Sequence, residues 1–178
     1  MEPWIKGKKE HIYDAHIFDV YTQEYTSTAS NAGGKFTIIE SPNWINIIPV
    51  TKDGQVILIK QFRFGTDEVT LEFPGGMVDP GEDPLVAAKR ELKEETGADH
   101  FIISEIGISK PNPAFLNNNC YHYLASGCEI IHSQSLDENE EIEIILVDLE
   151  DIEKMIMTNE ISHSLILTTW LYYKINKT

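Results

Sequence analysis

The segment from Pro74 to Ala98, "PGGMVDPGEDPLVAAKRELKEETGA", constrains the architecture more than any other part of the chain. Its Pro-Gly-Gly turn ends the preceding strand. Asp83 is placed to cap a helix, Pro84 suits the first helical position, and Gly97 supplies the stop. Inside that helix Glu91, Glu94 and Glu95 fall at i, i+3 and i+4 and share one face. Each close pair of like charges costs roughly a few tenths of a kcal/mol unless something offsets it. By spacing alone the cluster is either a solvated acidic face or a cation site.

The rest of the chain reads mostly as strands. "HIFDVYTQEYT" and "KFTIIES", separated by the turn-rich "STASNAGG", predict an N-terminal hairpin. "NWINIIPVT" and "QVILIKQFRF" flank "KDGQ", where Asp53-Gly54 is a strong hairpin signal. "VTLEFPGG", "FIISEIGIS", "CYHYLASGCEII" and "EIEIILVDL" are further strands. "LEDIEKMIMTN" predicts a short helix, and "SHSLILTTWLYYKI", capped by Ser162, a final amphipathic one. Strands and helices do not alternate, so the expected class is α/β of the α+β kind, not a doubly wound sheet. The expected division is an N-terminal β-hairpin element, residues 1–42, and a main domain, residues 43–178.

A chain of 178 residues that is 42% hydrophobic and 10% aromatic can bury a proper core in one domain. Its formal net charge of −15 argues against nucleic acid as the main partner. No run approaches a membrane span, and "MEPWIKGKKEHIY" lacks the apolar core of a signal peptide. Cys120 and Cys128 have no metal-like spacing, and a buried, reduced pair fits a cytoplasmic protein. His100, His122 and His163 form no i, i+4 pair on a helix, so a zinc site has no support.

Read outward from the glutamates, the order is Gly76, five residues, Glu82, seven residues, Arg90-Glu91-Leu92, one residue, Glu94-Glu95, one residue, Gly97. At average residue usage this arises by chance on the order of once in a billion start positions. The pattern resembles the signature of the Nudix hydrolases at every defining position. The flanks "WINIIPVTKDGQVILIKQFRFGTDEVTLEFPGG" and "DENEEIEIILVDLEDIEKMIMTNEIS" resemble the subgroup of ADP-ribose pyrophosphatases and nucleoside diphosphate sugar hydrolases. That resemblance implies an α/β/α sandwich with a mixed sheet.

The resemblance also implies hydrolysis of a diphosphate bond in a nucleoside diphosphate sugar. A cluster of hard oxygen donors suits Mg²⁺, with Mn²⁺ as a substitute. Expected metal-binding groups are the Gly75 carbonyl, Glu91, Glu95, Glu94 and Glu140. Arg90 is expected to hold a carboxylate in place. Ala87 is expected to leave room for an ion and a phosphate among the glutamates. In the subgroup the general base is a glutamate on a loop after the signature, which matches Glu138, with Glu140 two residues on. Arg63 is either a phosphate clamp or a surface arginine. Trp44 and Phe115 are either stacking partners for base or sugar, or core residues.

Pro111 and Pro113 stand where ADP-ribose pyrophosphatases usually carry Pro-Gly, but no glycine follows either, which points to a broader sugar-nucleotide range. The competing readings are an enzyme acting on nucleoside triphosphates, dinucleoside polyphosphates or RNA 5′ ends, and a non-catalytic nucleotide sensor. The sensor reading fits poorly with retention of Glu82, Glu91, Glu94 and Glu95. Related enzymes build a homodimer through the N-terminal segment, and a homodimer is expected here.

Overall fold

The computed structural model describes residues 3–177. The strands are β1 (Ile5–Asp14), β2 (Asp19–Thr26), β3 (Gly33–Glu40), β4 (Trp44–Thr51), β5 (Gln55–Arg63), β6 (Glu68–Glu72), β7 (Ala98–Asp99), β8 (Ile102–Ser109), β9 (Cys120–Ile130) and β10 (Ile142–Asp148). The helices are α1 (Pro84–Thr96), α2 (Ile152–Met157) and α3 (Ser164–Asn176), and a short 3-10 turn, Leu149–Asp151, leads into α2. The chain divides into two compact units, one running to Asn43 and including Lys110–Asn119, the other Trp44–Ser109 with the chain from Cys120 onward.

The first unit is an antiparallel sheet in the order β1-β2-β3, one strand more than the expected hairpin. The extra strand, "IKGKKEHIYD", is rich in lysine and exposed at nine of its ten positions, so it carries no alternating apolar signal. No apolar side chain of this sheet is fully buried, and Ile5, Ile12, Tyr13 and Phe36 are all exposed.

In the second unit β4 runs parallel to β9 along its whole length, while β5, β6, β8 and β10 pair antiparallel. This is the expected mixed sheet. Its two faces are both covered, as the continuous apolar runs of β4 and β5 require. Ile45, Ile47, Ile57, Tyr123 and Ala125 pack with Ala87, Ala88 and Leu92 of α1. Ile48, Val56 and Leu58 point the other way and pack with Ile152 of α2 and Ile166, Trp170 and Tyr173 of α3. Ala87, expected to leave space among the glutamates, is instead fully buried in the first of these cores.

Asp83 caps α1, its carboxylate accepting from the Leu85 and Val86 N–H groups, and Gly97 ends it with φ 67°. At α3 the expected cap is displaced by one residue. His163, not Ser162, occupies the capping position, and no side chain bonds the first turn.

After the Asp53-Gly54 turn, β4 and β5 pair through Val50 and Val56 and then separate. The vacated edge of β4 is taken by the segment after β6. Ile47 N–H donates to the Pro74 carbonyl and Ile45 N–H to the Gly76 carbonyl, each at 2.9 Å. The glycine turn is thereby stitched to the central strand, facing α1.

Candidate active site

Glu95 is 3% exposed, yet its carboxylate makes no ion pair among the described residues. One oxygen accepts from the Gly75 N–H at 2.9 Å. Burial pushes the Glu95 carboxyl well up, and the charge of Glu91 pushes it further. Glu91 is raised for the same leading reason. Glu95 is thus a desolvated carboxylate, pressed by the charge of Glu91, for which no cationic side chain among the described residues supplies an ion pair.

Arg90 is saturated. Its Nε and Nη2 donate to the two oxygens of Glu82 at 3.1 and 3.0 Å, and Nη1 to Glu91 at 2.8 Å and Glu94 at 3.1 Å. Nη2 also donates to the Met77 carbonyl at 3.2 Å, so all five N–H groups are used. The guanidinium therefore locks the loop before α1 to the acidic face of the helix and is not available to a ligand.

At both glycines of the turn a side chain would meet close neighbours. A Cβ on Gly76 would lie 2.5 Å from the Glu91 carboxyl carbon, and one on Gly75 would meet the Ile45 carbonyl oxygen inside van der Waals range. Among the described residues no three His, Cys, Asp or Glu side chains gather into a ready-made cation cage. The donor chemistry nonetheless fits a hard divalent cation, because Glu95, without an ion-pair partner, and Glu91, held by Arg90, are oxygen donors beside a backbone turn.

Arg63 is placed against Glu72, which sequence reasoning missed. Glu72 is 1% exposed and accepts from Thr70 Oγ1 at 2.6 Å as well as from the guanidinium. His163 Nδ1 stands 3.2 Å away without hydrogen-bond geometry. Arg63 remains nearly half-exposed, and its Nη1 edge takes no part in the pair. Asn46 was also missed. It is buried behind the turn, and its Nδ2 donates to the Phe73 carbonyl at 3.3 Å.

The acidic loop between β9 and β10 carries Glu138 and Glu140, both exposed. The charge of Glu140 acts on Glu91, Glu95 and Arg63, so this residue belongs electrostatically to the carboxylate cluster. Glu138 sits at the corner of the turn that Glu140 N–H closes onto the Asp137 carbonyl at 3.0 Å. Trp44 is half-buried at the start of β4 and bridges Met77. Phe115 lies in the first unit and is exposed. Cys120 and Cys128 are both free and buried. No helix among the described residues is long and apolar enough to cross a membrane.

A family-level comparison matches residues 42–167 to the NUDIX domain. An ADP-ribose pyrophosphatase of Bacillus subtilis is 30% identical over 154 residues, covering 86% of this chain and 83% of that protein. An ADP-ribose pyrophosphatase of Saccharomyces cerevisiae is 33% identical over 175 residues, covering 82% and 74%. Among solved structures, an ADP compounds hydrolase superposes with a TM-score of 0.86 at 20% identity, covering 98% of this chain and 94% of that one, which establishes the fold. The chain therefore belongs to the NUDIX family and is a hydrolase of pyrophosphate bonds, a chemistry for which that family generally uses a divalent metal.

Proposed function

We propose that the protein hydrolyses the diphosphate linkage of ADP-ribose or a related nucleoside diphosphate sugar, giving a nucleoside monophosphate and a sugar phosphate. The observation that carries this reading is Glu95, desolvated against the glycine turn with no ion-pair partner among the described residues, beside Glu91, whose one cationic partner Arg90 is shared with Glu82 and Glu94. The groups that would hold the cation are the Gly75 carbonyl, Glu91 and Glu95, with Glu94 and Glu140 in the same shell. Mg²⁺ is the expected ion and Mn²⁺ its substitute. Once bound, such an ion neutralises the diphosphate and acidifies a water molecule.

The chain's own residues supply the remainder. Arg90 orients Glu91 and Glu94. Glu138 takes the proton of the attacking water as a P–O bond of the bridging oxygen breaks. The outward Nη1 edge of Arg63 meets phosphate oxygens while Glu72 fixes the other edge. Trp44 and Phe115 each offer an aromatic face to base or sugar. The first unit, as the dimerisation element, would give its exposed apolar side chains a second copy to pack against. The free thiols accord with a cytoplasmic location.

The test is a panel of ADP-ribose, other sugar nucleotides and nucleoside triphosphates, each with Mg²⁺, Mn²⁺ or chelator, with products read by phosphorus NMR. Metal-dependent AMP and ribose phosphate from ADP-ribose support the proposal. Pyrophosphate from triphosphates, with sugar nucleotides untouched, overturns it.

A further inference from the structure

We propose that Gln134 is a positioning residue, whose single side-chain amide ties the base of the acidic loop to the carboxyl end of the glutamate helix. Its Nε2 donates to the Glu95 carbonyl at 2.6 Å and to the Ile142 carbonyl at 3.2 Å. Facing two carbonyl oxygens, this atom must be the nitrogen of the amide, and both its hydrogens are used. One contact is on the last turn of α1 and the other on the first residue of β10. The amide therefore closes the loop between residues 134 and 142 across its neck.

The surrounding strap reinforces this placement. Ile131 and His132 N–H both donate to the Gly97 carbonyl at 3.1 Å, and Ser135 N–H donates to the Glu94 carbonyl at 2.9 Å. These bonds satisfy carbonyls that the end of a helix leaves open. They all lie on the α1 side of the neck, whereas the Gln134 amide reaches across to β10 as well.

Charge explains why the neck needs closing. The loop holds Asp137, Glu138, Glu140 and Glu141, and it stands beside a helix bearing Glu91, Glu94 and Glu95. Like charges on the two elements repel, which favours a loop displaced from α1 unless its neck is tied. At the tip, the Asp137–Glu140 turn is internally bonded, Asp137 N–H donating to the Glu140 carboxylate at 3.2 Å. A bonded tip on a tied neck moves as one piece, which limits how far Glu138 strays.

This inference rests on the assignment of Glu138 as base made above. Its test uses the full chain as wild type, Gln134→Met (equal length, no donor) and Gln134→Lys (donors restored beside the negative end of the helix dipole). In metal-free protein, a glutamate-specific protease should cut the exposed loop at least about fivefold faster in Gln134→Met than in wild type, with Gln134→Lys near wild type. On the proposed substrate, Gln134→Met should lower kcat about tenfold with KM within about twofold, and Gln134→Lys should recover most of it. Equal cleavage rates in all three proteins overturn the tether even if no sugar nucleotide is turned over, so its failure is read separately from that of the proposed function. A Gln134→Met protein that melts earlier but keeps its kcat per folded molecule also overturns it, as does a lysine variant no better than the methionine one.

Discussion

Arg63 and Glu72 meet edge to edge across the β5–β6 pair, with Nε on one carboxylate oxygen and Nη2 on the other, each at 2.7 Å. The carboxylate is fully buried, and burial alone would raise its pKa. The guanidinium wins, holding it well below the usual carboxylate range. Removing the cation strands a buried charge, and Arg63→Met should cost about 2–3 kcal/mol in urea unfolding, discounted because Arg63 is half in water. Since the folded pKa of Glu72 is depressed, the pair's contribution is complete above the ordinary value of 4.5 and drains away as pH falls toward the folded one. The variant should therefore lose much of the wild-type difference in stability between pH 6 and about pH 3. Arg63→Lys should not restore it, because an ammonium cannot present two parallel donors.

Glu95 points the opposite way. Its charge is desolvated and repelled by Glu91, so in metal-free protein it weakens the fold. Glu95→Gln keeps the size and an oxygen for the Gly75 N–H. The metal-free variant should be more stable than wild type by about 1 kcal/mol, while turnover collapses. Thermal melts with and without Mg²⁺ check both halves, since the wild type should gain stability from the ion and the variant should not. A Glu95→Gln enzyme that still responds to Mg²⁺ and turns over normally removes this residue from the metal site.

A third prediction concerns the polar thread behind the turn. Asn46 uses its Nδ2 on Phe73, so its Oδ1 accepts from the Thr169 hydroxyl at 2.6 Å. With the Thr169 proton taken by Asn46 or by the Leu165 carbonyl at 2.7 Å, Thr169 accepts from His122 Nδ1–H at 2.7 Å, and His122 Nε2 lies 2.8 Å from the Ser109 hydroxyl. Burial disfavours the charged ring and pushes His122 down to about 4, so the folded chain holds it neutral at pH 7. Below pH 6.5 the unfolded chain takes up a proton that the folded one refuses, so stability falls between about 6.5 and 4, by up to about 3 kcal/mol. His122→Gln should flatten that part of the curve, measured by unfolding at pH 7 and pH 5. An unchanged slope would mean that the imidazole is not held neutral.

What could be read from the sequence follows from how local each signal is. Asp83, Pro84 and Gly97 announce α1 because capping depends only on neighbours in the chain. Strand β1 is illegible because its side chains are exposed on the chain, and nothing in "KGKKEH" alternates. Arg63 was visible as an arginine of interest, but its partner depends on cross-strand register, which places Thr70 and Glu72 on its face of the sheet. Gln134 carries no local pattern at all. Its meaning comes from two carbonyls, one 39 residues before it and one eight after it. His163 displaced Ser162 as the cap of α3 where a buried carboxylate lies 3.2 Å from its ring, a tertiary circumstance that local preference does not see.

The two glycines of the turn should separate folding from chemistry. On Gly75, an added methyl meets backbone, the Ile45 carbonyl and the Asn46 Cα, and neither can retreat without moving β4. Gly75→Ala should destabilise by about 2–3 kcal/mol, with activity falling largely because less protein is folded. On Gly76 the methyl meets only the Glu91 carboxylate, the far end of a flexible side chain. Glu91 can swing aside, at the cost of its bond to Arg90 and its place beside Glu95. Gly76→Ala should therefore melt within a few degrees of wild type yet need about tenfold more Mg²⁺ for half-maximal rate and for half-maximal thermal stabilisation. If Gly76→Ala binds the ion as wild type does, Glu91 is not one of its ligands. If Gly75→Ala folds normally, the close approach to β4 is not what makes that glycine necessary.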